Sequence, residues 1–175
     1  MNKVTSTRRY GFKYDKNLIL MIGNIGTGKS TFVKTYEKEY IVLSRDKIRY
    51  GIGNGNYVFI PQLEPAIWDG EITLFEGMVN TGINIIVDEI NINNVFRSRY
   101  INVAEAADYT ITGIVMPHLS MDECVRRRMG NNHGDGTKEE WEEVWTRFNN
   151  KYEQPTFDEG FDKIFMVEEG QIKQL

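Results

Sequence analysis

Residues 23–31 have the types and spacing to hold a polyphosphate. Gly23-Asn24-Ile25-Gly26-Thr27-Gly28-Lys29-Ser30 matches G-x-x-x-x-G-K-S/T at every fixed position, and Thr31 follows. Glycines let successive backbone N–H groups turn inward toward phosphate oxygens. The Lys29 ammonium reaches β- and γ-phosphates as a point charge, and the Ser30 hydroxyl is a hard oxygen ligand for Mg²⁺. A Gly-rich turn without a ligand is the plainer alternative, but the complete motif also needs a strand before it and a helix after it. Both are legible. Residues 18–22 are a continuous apolar run, and Phe32, Tyr36 and Tyr40 recur at i, i+4, i+8, which predicts a helix over 32–40. The stretch implies binding of a nucleoside triphosphate.

Further groups stand where such a loop would need them. Tyr40-Ile41-Val42-Leu43 reads as a second strand and ends in Ser44-Arg45-Asp46. Polar residues just past the C-terminal end of a parallel strand lie beside the phosphate loop, which puts Asp46 in the position of a general base for an attacking hydroxyl. Arg49, three residues on, shares a helical face with Asp46 and could hold an anionic group of the acceptor; a surface charge is the alternative for each. Ile83-Asn84-Ile85-Ile86-Val87 is a third strand delivering Asp88-Glu89, carboxylates placed to orient Mg²⁺ or its waters. The same pattern serves ATPases whose glutamate polarises water, so that reading stays open. Asn91 and Asn93 then cap a helix or contact a ligand.

The elements that must position these groups alternate strand and helix. Pro65 opens a helix with an apolar stripe of Ile67 or Trp68, Ile72, Phe75 and Val79, stopped by Gly82. In the loop before it, Tyr57 and Phe59 either stack on a ligand or tuck into the core. A helix over 95–107 carries Arg97 and Arg99, expected on a solvated face. Residues 109–116 form a fourth strand, and Ser120-Met121-Asp122-Glu123 is a capping box for a helix over 121–129. Its inner side holds Cys124, a core residue. Its end holds Arg126, Arg127 and Arg128, charges that suit the negative helix pole. A Gly/Asn-rich stretch, 130–136, has the composition of a mobile loop and leads to a second capping box at Thr137 and a helix with Trp141, Val144, Trp145 and Phe148 inward. Two helices so joined suit a lid over the phosphates, at about 126–140. Residues 163–167 are a fifth strand, with 171–173 as a short edge.

Composition bounds the rest. The chain has 175 residues, 41% hydrophobic and 12% aromatic, enough for one packed core. A net charge of −4 excludes a uniformly basic nucleic-acid binder, although residues 1–16 carry a net +4 and read as a basic tail ahead of a domain over 17–175. The single cysteine excludes an intramolecular disulfide or a thiolate metal cluster and fits a reducing cytosol. No apolar run approaches the ~18 residues of a membrane helix, so no membrane partner is expected and the expected location is cytoplasmic.

The order of these motifs resembles the phage-type polynucleotide 5′-hydroxyl kinases and, more broadly, their P-loop kinase clade. The residues that carry it are Gly23…Lys29-Ser30-Thr31, Ser44-Arg45-Asp46-x-x-Arg49, Val87-Asp88-Glu89-Ile90-Asn91, Glu123-Cys124-Val125-Arg126-Arg127, and Phe148-x-x-Lys151-Tyr152-Glu153-x-Pro155-Thr156-x-x-Glu159-Gly160-Phe161-Asp162. The resemblance covers roughly 17–168. It implies an α/β, three-layer P-loop NTPase fold like adenylate kinase, with a five-stranded parallel sheet and a helical lid. It implies ATP and Mg²⁺ as cofactors, residues 23–31 with Arg127 on the nucleotide, and Ser30, Asp88 and Glu89 around the metal. Asp46 falls on the general base, Arg49 on the arginine that holds the phosphate 3′ to the accepting nucleoside, and Arg127 on the lid arginine. Arg45, Asp88 and Asn91 join Asp46 and Arg49 on the acceptor side. The chain departs from the pattern at Ile90, at the inserted Gln154, and near Asn131, where a second lid arginine is expected; His133, Arg126 or Arg128 could replace it. The expected activity is ATP-dependent phosphorylation of a 5′-hydroxyl on DNA or RNA, in a cytosol that includes that of a phage host. A small-molecule kinase acting on a nucleoside, sugar or antibiotic, and a P-loop ATPase or switch, are the alternatives.

Overall fold

The computed structural model describes residues 12–130, 136–168 and 171–175. Most of the basic tail (1–11), and His133 with its loop (131–135), lie outside the described residues. Strands β1 (Asn17–Ile22), β2 (Ile41–Leu43), β3 (Ile85–Val87), β4 (Thr110–Val115), β5 (Lys163–Glu168) and β6 (Gln171–Gln174) form one sheet in the order β2-β3-β1-β4-β5-β6. The first five are parallel, and β6 runs antiparallel on the edge of β5. The sheet is therefore mixed and six-stranded rather than a pure five-stranded parallel one. The expected short edge is a full strand that reverses direction, since the tight connection from β5 cannot make the crossover that a parallel strand needs.

β1 is central, and its alternate residues feed two cores. Leu18, Leu20 and Ile22 point to one face with Phe75, Val79, Tyr100 and Ile101; Ile19 and Met21 point to the other with Val33 and Ile86. Each such buried aliphatic contributes about 1.5–3 kcal/mol. The helices are α1 (Lys29–Val33), α2 (Arg45–Ile52), α3 (Glu64–Thr81), α4 (Asn94–Glu105), α5 (Met121–Met129) and α6 (Lys138–Asn149). Pro65 lies in the first turn of α3, and Gly82 ends it in the left-handed region (φ 74°).

Two expectations change here. The helix predicted over 32–40 ends at Val33 and continues as turns closed by i→i+3 bonds, Thr35 to Phe32 and Tyr36 to Val33. The aromatic periodicity is nonetheless used: Phe32, Tyr36 and Tyr40 stack at 5.4 and 6.3 Å over the second core. Arg97 is not solvated but fully buried. Its Nε and Nη2 donate to both oxygens of Glu159 (2.6 and 2.8 Å), and its Nη1 donates to the carbonyls of Asn91 and Glu153 (3.1 and 3.0 Å). Glu159 also receives the Thr156 amide, and Asp162 accepts from the Ile111 amide at 2.7 Å. The 153–162 stretch, which follows α6 in the chain, is thus fastened to α4 and β4. On the N-terminal side, Asn84 Oδ1 accepts the amides of Asp15 and Asn17, which ties the last residues of the expected tail to the body.

Candidate active site

The C-terminal ends of β1, β2 and β3, with α5 and α6, enclose a cleft of about 1350 Å³. The loop from Gly23 to Gly28 forms its floor, and glycine is required there by contact as well as by conformation. A Cβ on Gly26 (φ 68°) would lie 2.4 Å from the Cys124 carbonyl oxygen of α5, and one on Gly23 would lie 2.9 Å from Met116 Cβ. Asn24 Oδ1 accepts the Ile25 amide (2.7 Å) while its Nδ2 donates to the Trp145 carbonyl on α6 (3.0 Å), so the loop and α6 are joined directly. Thr27 Oγ1 donates to the Asn24 carbonyl at 2.9 Å. Lys29 Nζ donates to the Gly23 and Asn24 carbonyls (3.0 and 2.8 Å), and burial lowers it to about 8. α1 is short, so the loop amides rather than a long helix dipole make the anion site.

Ser30 lies beside the Asp88 carboxylate, which burial raises above its ordinary range, and Asp88 Oδ1 is buried without a partner. A hydroxyl and a carboxylate with an unspent oxygen fit Mg²⁺, which takes one or two protein oxygens and fills the rest from phosphates and water. Among the described residues no group of three or more His, Cys, Asp or Glu forms a metal cage. Glu89, expected beside the metal, instead accepts the Arg45 backbone amide (2.6 Å) and pairs with the Arg45 guanidinium. It caps α2, whose N-cap residue Ser44 makes no side-chain bond.

Asp46 lies in the first turn of α2, lines the cleft and is 35% exposed. Arg49 Nη1 (2.8 Å) and the Tyr57 hydroxyl (3.2 Å) both donate to its Oδ1. Among the described residues Oδ2 receives no hydrogen bond, which leaves it able to take a proton. Arg49 is buried, with Nε and Nη2 on the two oxygens of Glu64 (3.0 and 2.5 Å). That fork and the Asp46 bond together use three of its five N–H donors, so two remain for another anion. Arg45, placed on the acceptor side from the sequence, is buried with its guanidinium 3.6 Å from the Trp68 ring centroid. Asn91 is also buried, and its Nδ2 donates to the Met21 carbonyl at 2.9 Å. It fastens the end of β1 and is not among the residues that line the cleft.

Arg126, Arg127 and Arg128 all reach the cleft but differ in partners. Arg126 and Arg127 both pair with Glu123, Arg127 at 2.6 Å, and Arg127 Nη1 is 3.5 Å from the Gly26 carbonyl. Arg128 has no carboxylate among the described residues; it stacks 4.5 Å from the Trp141 ring centroid, and its buried Nε has no acceptor. Its charge acts on Lys29 and Tyr57. Sequence reasoning missed Glu64, Glu71, Trp68 and Arg147. Glu64 stood one residue before the helix-opening Pro65, and Glu71 sat four residues from both Ile67 and Phe75 in the apolar stripe.

A family model described as AAA domain matches residues 18–155. An Acanthamoeba polyphaga mimivirus protein, named as a bifunctional polynucleotide phosphatase/kinase, is 25% identical over 174 residues. The match takes in 95% of this chain but 37% of that protein. A chain in the structure of the Pnkp1/Rnl/Hen1 complex superposes with a TM-score of 0.52 at 20% identity, covering 71% of this chain and 41% of that one. A gluconokinase from Sinorhizobium meliloti 1021 gives a TM-score of 0.52 at 13% identity over 90% of this chain and 85% of its own. The chain thus spans less than half the length of the mimivirus protein and of the matched chain in that complex.

Proposed function

The chain belongs to the AAA-domain family whose model it matches over residues 18–155, with a P-loop kinase fold, and we propose that it transfers the γ-phosphate of ATP to the 5′-hydroxyl of a DNA or RNA end. The observation that carries the reading is Asp46. It faces the same cleft as Lys29 and Asp88, with Oδ1 fixed by Arg49 and Tyr57 and Oδ2 unspent. Such a carboxylate can accept the proton of an attacking hydroxyl as the phosphoryl group moves. The loop amides and Lys29 hold the β- and γ-phosphates, and Arg127 and Arg128 approach from the lid side to meet charge that develops on the transferred group. Ser30 and Asp88 would hold Mg²⁺, which would supply positive charge against the phosphates. Arg49, held rigidly with two donors to spare, suits the phosphate on the 3′ side of the accepting nucleoside. The mimivirus relative, matched over 95% of this chain, supports this acceptor class.

A small-molecule acceptor is the second reading, favoured by the likeness to a gluconokinase and by the carboxylates that already engage Arg49. An ATPase using Glu89 to activate water is disfavoured, because both Glu89 oxygens are spent on Arg45. The test compares Asp46→Asn with Glu89→Gln on a 5′-hydroxyl oligonucleotide and ATP. Asp46→Asn is expected to keep ATP affinity and lose roughly 10²-fold or more in turnover, the scale for a general base. Normal turnover in Asp46→Asn would refute the assignment.

A further inference from the structure

The core face of α3 holds one residue that hydrophobic patterning would not put there. Ile67, Glu71, Phe75 and Val79 are the buried positions of this helix, and Glu71 is 1% exposed. A buried carboxylate is costly, while an apolar side chain of similar volume would complete the stripe without that cost. Glu71 Oε2 forms an ion pair with Arg45 Nε at 3.4 Å without a hydrogen bond, Tyr100 lies beside the carboxylate, and Glu71 Oε1 is buried without a partner. Arg45 already has a counter-ion in Glu89. One guanidinium between two carboxylates leaves an excess negative charge in the interior, and burial accordingly pushes Glu71 well above the usual carboxylate range. Such an arrangement does not serve stability.

What Arg45 touches gives the reason. It immediately precedes Asp46, its backbone amide is held by Glu89, which follows Asp88, and its guanidinium lies over Trp68 at 3.6 Å. A single chain of contacts therefore runs Tyr100–Glu71–Arg45–Glu89, and its last two members are the chain neighbours of Asp46 and Asp88.

We propose that Glu71 is a positioning residue for phosphoryl transfer: it holds Arg45 flat on Trp68 and against Glu89, and so fixes Asp46 relative to Asp88. The proposal rests on the kinase reading but not on which hydroxyl accepts. Glu71 touches neither nucleotide nor acceptor site, since it does not line the cleft.

The test uses the full chain with Glu71→Gln, which keeps the shape and removes the charge. Turnover falls about 10-fold to 10²-fold, the scale for misplacing a reacting group by an ångström, while KM for ATP stays within about two-fold and Tm is equal or higher because the excess charge is gone. Tryptophan emission changes as Arg45 loosens from Trp68, and that change is missing in a Trp68→Phe background. The double variant Glu71→Met/Tyr100→Phe, which removes both the carboxylate and the neighbouring hydroxyl, loses turnover in the same way. Wild-type turnover in Glu71→Gln, a loss that merely follows the folded fraction, or unchanged Trp68 emission overturns the proposal. A wild-type protein that phosphorylates no acceptor sinks the kinase reading instead, and the emission arm still reports whether Glu71 holds Arg45.

Discussion

Arg97→Met removes a fully buried guanidinium while keeping most of its volume. It deletes the fork to Glu159 and the bonds to the Asn91 and Glu153 carbonyls. The Glu159 side chain is only 8% exposed, so its charge is left without a counter-ion. Breaking a buried pair from one side costs about 3–5 kcal/mol. For a chain of this size each kcal/mol lowers Tm by about 2–4 °C, so the fall is roughly 6–20 °C. Asn91 also holds the Met21 carbonyl at the end of β1, so the loosened segment leads straight into the phosphate loop and KM for ATP should rise. Thermal melting by circular dichroism, with ATP kinetics below the melting range, measures both. Adding Glu159→Met should return a large part of the lost stability, because the stranded charge is then gone, although the Thr156 amide loses its acceptor. A fall below 2 °C, or no recovery in the double variant, would refute the reasoning.

Lys29→Ala should abolish transfer to every acceptor, since the β/γ charge loses its fixed cation; measurable product under initial-rate conditions would place the donor elsewhere. The pH profile of kcat/KM for ATP should fall above about 8 as the Lys29 ammonium deprotonates. The same lowered value makes Lys29 a stability cost that is full below about 8 and relieved as pH rises toward its ordinary 10.5, so Lys29→Met should raise Tm at pH 7. Arg128→Ala should cost more turnover than Arg126→Ala, whose guanidinium is exposed and paired with Glu123; equal rates in single-turnover assays would contradict that order. Gly26→Ala should lose nucleotide binding, read by calorimetric titration, because its Cβ would meet the Cys124 carbonyl in a left-handed backbone.

What was legible in the sequence was whatever chemistry sits within one turn or one strand. The phosphate loop, the Asp46 and Asp88 strand ends, the N-cap at Ser120, the capping box at Thr137 and the Gly82 stop are all local patterns, and each is where the spacing puts it, although at Ser120 the box is half made because Glu123 turns to Arg126 and Arg127. What was not legible is pairing across sequence. Arg45 finds Glu89 and Glu71, Arg49 finds Glu64, and Arg97 finds Glu159, 62 residues away. Periodicity cannot tell a buried pair from two exposed charges until the partner is in place. Arg97 did carry a local signal, for Arg97, Tyr100, Ile101 and Ala104 follow i, i+3, i+4, i+7 and share the buried face of α4. The charge alone argued for solvent. The helix after the loop was overread because Phe32, Tyr36 and Tyr40 keep helical spacing even where the backbone has tightened into turns.

The most direct measurement gives the protein labelled ATP with four acceptors in parallel: a 5′-hydroxyl oligonucleotide, a nucleoside 3′-phosphate, the free nucleoside and a simple sugar. If Arg49 meets the 3′ phosphate, the nucleoside 3′-phosphate exceeds the nucleoside in kcat/KM by roughly 10- to 150-fold, the value of one charge-assisted hydrogen bond of about 1.5–3 kcal/mol. Arg49→Ala then erases that difference rather than lowering both equally. Equal use of nucleoside and 3′-phosphate, or preference for the sugar, contradicts the polynucleotide assignment and returns the kinase to a small-molecule acceptor.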